Sequence, residues 1–129
     1  MRIAVGARTS VQRRVEPDMT ADRWGNTGVM VLATPTLVGL FEMTAVHAIQ
    51  DALEPGQATV GTHVDIRHLK ATPVGDVLTL SAEVIAVDGR RIQFRVRAED
   101  SGGLAGEGTH ERVIIDLERF LQRVGAATL

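Results

Sequence analysis

A carboxylate set among small and apolar neighbours is the first feature of this sequence that could do chemistry. In TPTLVGLFEMTAVHA, residues 34–48, the spacing predicts a helix, on which Glu42 has Val38, Gly39, Ala45 and Val46 as neighbours. Carboxylates are almost never fully buried without a partner. Glu42 is therefore either a helix carboxylate whose face lies near solvent or a desolvated group. In the second case its pKa rises unless a donor or a cation holds it ionised. Such a group suits base catalysis, nucleophilic attack or the orientation of another residue. Gly39, one turn earlier, would let a strand or ligand approach the helix backbone closely, at a cost of roughly 1 kcal/mol relative to Ala.

Two further residues stand out by position. Along Val60, Thr62, Val64, Ile66 and His68 the alternation of a strand carries the histidine to the core-facing side, unless a bulge intervenes. His68 is then either a satisfied core residue or a catalytic one. Glu42 lies on the helix this strand should pack against, and a carboxylate facing a histidine can set its tautomer and poise it near neutrality. Thr34 precedes Pro35 and is the expected N-cap, with proline at the first helical position. Thr34 also lies eight residues before Glu42, about 80° away around the helix, so both could open onto one cavity. A hydroxyl at a helix N-terminus sits among free N–H groups that favour developing negative charge.

Other candidates are weaker. His110 shares parity with Arg112 and Ile114, so at least one charged group on that strand points inward. Arg112 could pair with Glu42 or contact a substrate, and spacing does not choose between the two. His47 and His63 have no such context, and no His/carboxylate cluster has the spacing of a metal site. Arg90 and Arg91, in VDGRR, could at most meet phosphates.

The elements that must position these residues follow from periodicity. A short strand is expected over 9–15, then a loop from Glu16 to Val29 that holds the only tryptophan, Trp24. The helix should run from Thr34 to about Leu53. Strands follow with inward sets Val60, Val64 and Ile66; then Leu78, Leu80, Ala82, Val84 and Ala86; then Ile92, Phe94, Val96 and Ala98. Asp88-Gly89 marks a hairpin between the last two. A final strand covers about Leu104 to Ile115, and DLERFLQRV closes the chain as a short helix. The class is α+β: one long helix, apolar nearly all round and so covered on more than one side, wrapped by a curved antiparallel sheet of about five strands. A second copy of the chain is the simplest cover for the remaining side. This is the hot-dog arrangement, normally a dimer.

The totals bound the reading. The 129 residues suit a single domain, 1–129, and the net charge of −2 argues against a nucleic-acid partner. No segment approaches the ~20 apolar residues of a membrane span. The N-terminal stretch lacks the apolar core of a signal peptide. With no cysteine, disulfides, thiolate nucleophiles and thiolate metal sites are excluded. A cytoplasmic protein that binds neither membrane nor nucleic acid is the expectation.

LATPTLVGLFEMTAV, VGTHVDIRHLKATPVG, VDGRRIQFRVRAED and GTHERVIIDLERF together resemble the fluoroacetyl-CoA thioesterase family of hot-dog thioesterases, over about Ala33 to Val124. The resemblance implies a catalytic threonine, glutamate and histidine at Thr34, Glu42 and His68. It implies a glycine at the substrate thioester, Gly61, and an arginine in the substrate site, Arg112. It further implies hydrolysis of a small or medium acyl-CoA to free acid and CoA, without metal or other cofactor. Two positions depart from the family pattern. RWGNTGVMVLA lacks the lid phenylalanine that precedes the family's threonine, and Pro35 stands where the family has glycine. Two other activities fit the same architecture: a hot-dog enoyl-CoA hydratase and a non-catalytic acyl-CoA sensor.

Overall fold

A computed structural model of the protein describes residues 3–125. Strand β1 (Arg8–Arg14) leads into two short 3-10 turns, Pro17–Met19 and Ala21–Trp24, inside the segment expected to be loop. Helix α1 (Thr34–Ile49) is followed by a third 3-10 turn, Gln50–Ala52. Then come β2 (Gln57–His68), β3 (Val77–Asp88), β4 (Arg91–Asp100), β5 (Gly103–Asp116) and α2 (Leu117–Val124). The five strands make one antiparallel sheet in the order β1-β3-β4-β5-β2, as expected for the hot-dog fold.

The core lies between α1 and the sheet. Leu78, Leu80 and Val84 of β3 and all four inward residues of β4, Ile92 to Ala98, have no exposed surface, and Ala82 almost none. They meet Leu37, Leu40, Phe41, Ala45 and Ile49 of α1. Each large apolar side chain so buried contributes about 1.5–3 kcal/mol, which is what holds the helix to the sheet.

Four expectations are corrected. The α-helix ends at Ile49 rather than Leu53, the remainder tightening into the 3-10 turn. The hairpin between β3 and β4 turns on Gly89-Arg90, because Asp88 still pairs with Arg91; Gly89 supplies the positive φ of 60° that this turn requires. Ala86 is only half-buried, since a bulge after Val84 shifts the register. The most consequential change is in β2. Gly61 faces Arg112 but His63 faces Glu111, so Thr62 is an extra residue. Val60 therefore points to the opposite face from Val64 and Ile66, and Thr59 and Gly61 take the inward side.

One side of the structure remains uncovered. Val38, Glu42 and Val46 of α1 are only half-buried and Gly39 is exposed. Beside them β2 forms an edge of the sheet, paired with β5 and with no other described strand.

Candidate active site

Thr34 and His68 meet where α1 begins and β2 ends. The N-cap position of α1 belongs to Ala33 and Thr34 is the first helical residue, so its side chain caps nothing. The hydroxyl instead lies 2.8 Å from His68 Nδ1. Main-chain bonds fix both residues. Leu32 N–H donates to Thr72 O at 2.9 Å and Ala33 N–H to Met19 O at 2.9 Å, which seat the start of the helix. Leu69 N–H donates to Ala105 O at 2.8 Å, which ends the strand. Opposite His68 is Gly106, where a Cβ would come within 2.9 Å of Leu37; its absence lets α1 settle against β5.

Burial holds the His68 ring below its ordinary pKa of 6.5, with the Lys70 main chain pulling the other way. A neutral ring that accepts the Thr34 proton at Nδ1 carries its own hydrogen on Nε2. That Nε2 is buried and has no hydrogen-bond partner among the described residues. The pair can therefore take a proton from an oxygen nucleophile.

Glu42 belongs to a second cluster. Arg112 Nη1 donates to Glu42 Oε1 at 3.2 Å and to His110 Nε2 at 3.1 Å. Its Nε donates to Thr59 Oγ1 at 2.8 Å and its Nη2 to Thr59 O at 3.0 Å. The guanidinium is thus locked in a buried fork. His110 donates from Nδ1 to His63 O at 2.8 Å, which leaves Nε2 free to accept. Burial first, and the Arg112 charge with it, hold His110 low and neutral, against the opposing His63 bond and Glu42 charge. Glu42 is not the fully desolvated group considered above: 41% of its side chain is exposed, and a cation partners it. Its carboxylate lies against the Cα of Gly61, where any Cβ would collide with it.

The sequence-derived residues thus fall into two groups. Thr34 and His68 touch, and Glu42, Gly61 and Arg112 touch. Eight residues of helix set Thr34 and Glu42 about 12 Å apart along the axis, so within one chain the two side chains do not touch. The histidine near Glu42 is His110, at 4.0 Å, and not His68. Sequence reading missed Thr59; its inward side follows once the bulge at Thr62 is known. Among the described residues no three His, Asp or Glu side chains converge as a metal site needs. Trp24 is 63% exposed and reaches the first turn of α1, its indole N–H donating to Thr36 Oγ1 at 3.3 Å.

The family model for the fluoroacetyl-CoA-specific thioesterase, FlK, matches residues 15–118. The chain belongs to the FlK family. A fluoroacetyl-CoA thioesterase from Streptantibioticus cattleyicolor is 44% identical over 98 residues, covering 76% of this chain and 70% of the relative. A solved structure of the fluoroacetyl-CoA thioesterase FlK superposes with a TM-score of 0.90 at 36% identity, covering 100% of both chains. A phenylalanine-to-alanine mutant of FlK in complex with fluoroacetate and CoA superposes at 0.86 with 38% identity, covering 92% of this chain and 99% of that one. The expectation of a hot-dog thioesterase is borne out by these matches. No helix among the described residues is long and apolar enough to cross a membrane.

Proposed function

We propose that this FlK-family protein hydrolyses a small or medium acyl-CoA thioester to the free acid and CoA, with Thr34, Glu42 and His68 as catalytic set. The observation that carries the reading is the 2.8 Å contact between the Thr34 hydroxyl and His68 Nδ1. His68 takes a proton from the Thr34 hydroxyl, or from a water held by it, and the freed oxygen attacks the thioester carbonyl carbon. The C–S bond breaks and the sulfur leaves as CoA thiol, taking up the proton. Where threonine attacks, a water then cleaves the acyl-threonine ester to release the acid and restore the hydroxyl. Gly61 and Arg112 bind the substrate, and the Gly61 N–H with the N-terminus of α1 stabilises the oxyanion, at typically ~3 kcal/mol per donor. Pro35 has no N–H and that of Leu37 goes to Ala33 O, so the amides of Thr34 and Thr36 serve at that end of the helix. No metal or redox cofactor enters these steps.

The protein acts as a homodimer in this reading, and the second copy completes the site. One observation supports it. Glu42 lies about 12 Å from Thr34 along its own helix, on a half-covered apolar stripe beside an edge strand of the kind that pairs with another chain. Laid across that stripe, a second copy brings its Glu42 to the Thr34–His68 pair and orients it.

The experiment is release of free CoA thiol from acyl-CoAs, acetyl and fluoroacetyl through medium chain, by the wild type and Glu42→Gln. Turnover that falls about a hundredfold or more in the mutant is expected for a positioned acid/base group. Binding of acyl-CoA without hydrolysis of any member would contradict the reading.

A further inference from the structure

His110 is a buried histidine that none of the proposed steps uses. It is 1% exposed, and its ring stacks on that of Phe94, its cross-strand neighbour on β4, at 6.0 Å. A buried ring is stable when both nitrogens are satisfied, and a neutral imidazole has one donor and one acceptor to place. Nδ1 donates to His63 O at 2.8 Å, one residue past the bulge at Thr62. That bond fixes the tautomer and turns the Nε2 lone pair toward Arg112 Nη1, 3.1 Å away. Burial, with the Arg112 charge beside it, holds the ring neutral and so keeps the lone pair available.

The two ends of the guanidinium are held differently. Thr59 takes Nε at 2.8 Å and Nη2 at 3.0 Å. Nη1 is shared between His110 and Glu42. Glu42 is the less steady of these two acceptors: 41% of its side chain is exposed, and the proposed chemistry needs its carboxylate at a Thr34–His68 pair. When Glu42 turns away, His110 is the acceptor left to Nη1 among the described residues. The His110 ring also packs beneath Gly61, its Cε1 3.2 Å from where a Cβ would lie. We propose that His110 is a positioning residue for substrate binding, its Nε2 holding Arg112 in place beside Gly61 while Glu42 is engaged elsewhere. The assignment rests on the acyl-CoA hydrolase reading, which gives Arg112 a substrate to contact.

The test compares two variants that each keep half of the ring's hydrogen bonding. Glutamine puts an amide oxygen near the Nε2 position and can accept from Arg112, whereas asparagine puts its amide near Nδ1 and reaches only His63 O. His110→Asn should raise KM for acetyl-CoA tenfold or more, with kcat within about threefold, as loss of a bond to a charged group used in binding does. His110→Gln should keep KM near that of the wild type. In an Arg112→Lys background, where the fork is already broken, His110→Asn should raise KM no further. An unchanged KM in His110→Asn, equal rises in the two variants, or a full further rise on Arg112→Lys would overturn the role, because a histidine needed only for packing behaves so. Binding is read separately with the ketone analogue of acetyl-CoA, which has CH2 in place of sulfur and cannot be hydrolysed. It should bind His110→Asn tenfold or more weakly than the wild type and His110→Gln about equally. That pattern in a protein that hydrolyses no thioester would support the positioning role and sink the hydrolase reading alone. Equal binding to all three would overturn the role whatever the hydrolysis shows. If neither variant folds, 15N spectra of the wild-type histidines decide: a bare Nε2 on His110 whose shift changes in Arg112→Lys is expected, and a hydrogen on that Nε2 would overturn the role.

Discussion

Thr34 and His68 form a hydrogen-bonded pair across the junction of α1 and β2, while Glu42, on the same helix as Thr34, is bound to Arg112 instead. One helix thus carries two reactive groups into two different neighbourhoods. The chemistry proposed depends on how these are joined.

Thr34→Ala removes the hydroxyl that His68 holds, and His68→Ala removes the base. Each should lower kcat for acyl-CoA hydrolysis at least a hundredfold, in the range of general acid–base catalysis. Thr34→Ser, which keeps the hydroxyl, should retain most of the rate. Steady-state kinetics with detection of free thiol checks all three, and a Thr34→Ala enzyme at wild-type rate would remove threonine from the mechanism.

Acid should switch the enzyme off only below the ordinary range of histidine. Burial lowers the pKa of His68, so the ring stays unprotonated, and able to take a proton, at pH values somewhat under 6.5. The acid limb of kcat/KM should therefore have an apparent pKa below 6.5. The same sign governs stability. His68 and His110 are both held low in the folded state, so the unfolded chain binds more protons and stability falls as pH drops below 6.5. Thermal melts between pH 7.5 and 5 should show that decline.

Arg112 should matter to the fold as well as to the site. Only 8% of its side chain is exposed, and Arg112→Ala leaves Thr59 O, His110 Nε2 and Glu42 without their donor. The expected loss is about 3 kcal/mol, from several buried acceptors left unpaired, read from urea unfolding. A melt unchanged from the wild type would show the fork to be dispensable.

Gly61→Ala tests the close approach of Glu42 to β2. The added methyl would meet the carboxylate, with His110 and Arg112 close behind at 3.2 and 3.3 Å. Glu42 has to move off Arg112, so the variant should lose about 1–3 kcal/mol of stability, as overpacked sites do, and lose kcat beyond what KM explains. Wild-type kinetics in a folded Gly61→Ala protein would show that this contact has no role.

Most of the fold was legible in the sequence because alternation in β3 and β4 is regular: Leu78 to Val84 and Ile92 to Ala98 all face the core. The site was legible as residues but not as geometry. Thr34 reads as an N-cap from its place before Pro35, yet Ala33 takes that position because its main chain is pinned to Met19. The bulge at Thr62 leaves no local mark, and it alone decides that Thr59 and Gly61, not Val60, face Arg112. Helical angle placed Thr34 and Glu42 on neighbouring faces, but axial rise sets them about 12 Å apart, and rise outweighs angle for contact.

The most direct test of the central claim is complementation between two inactive variants. Glu42→Gln and His68→Ala are co-expressed with different tags, and dimers carrying both tags are isolated. If a site is built from Thr34 and His68 of one copy and Glu42 of the other, each mixed dimer contains one intact site and one doubly impaired site. Its rate of CoA release should then recover to roughly half that of the wild-type dimer, since a symmetric pair has two equivalent sites. Mixed dimers as inactive as either parent would contradict a site shared between copies.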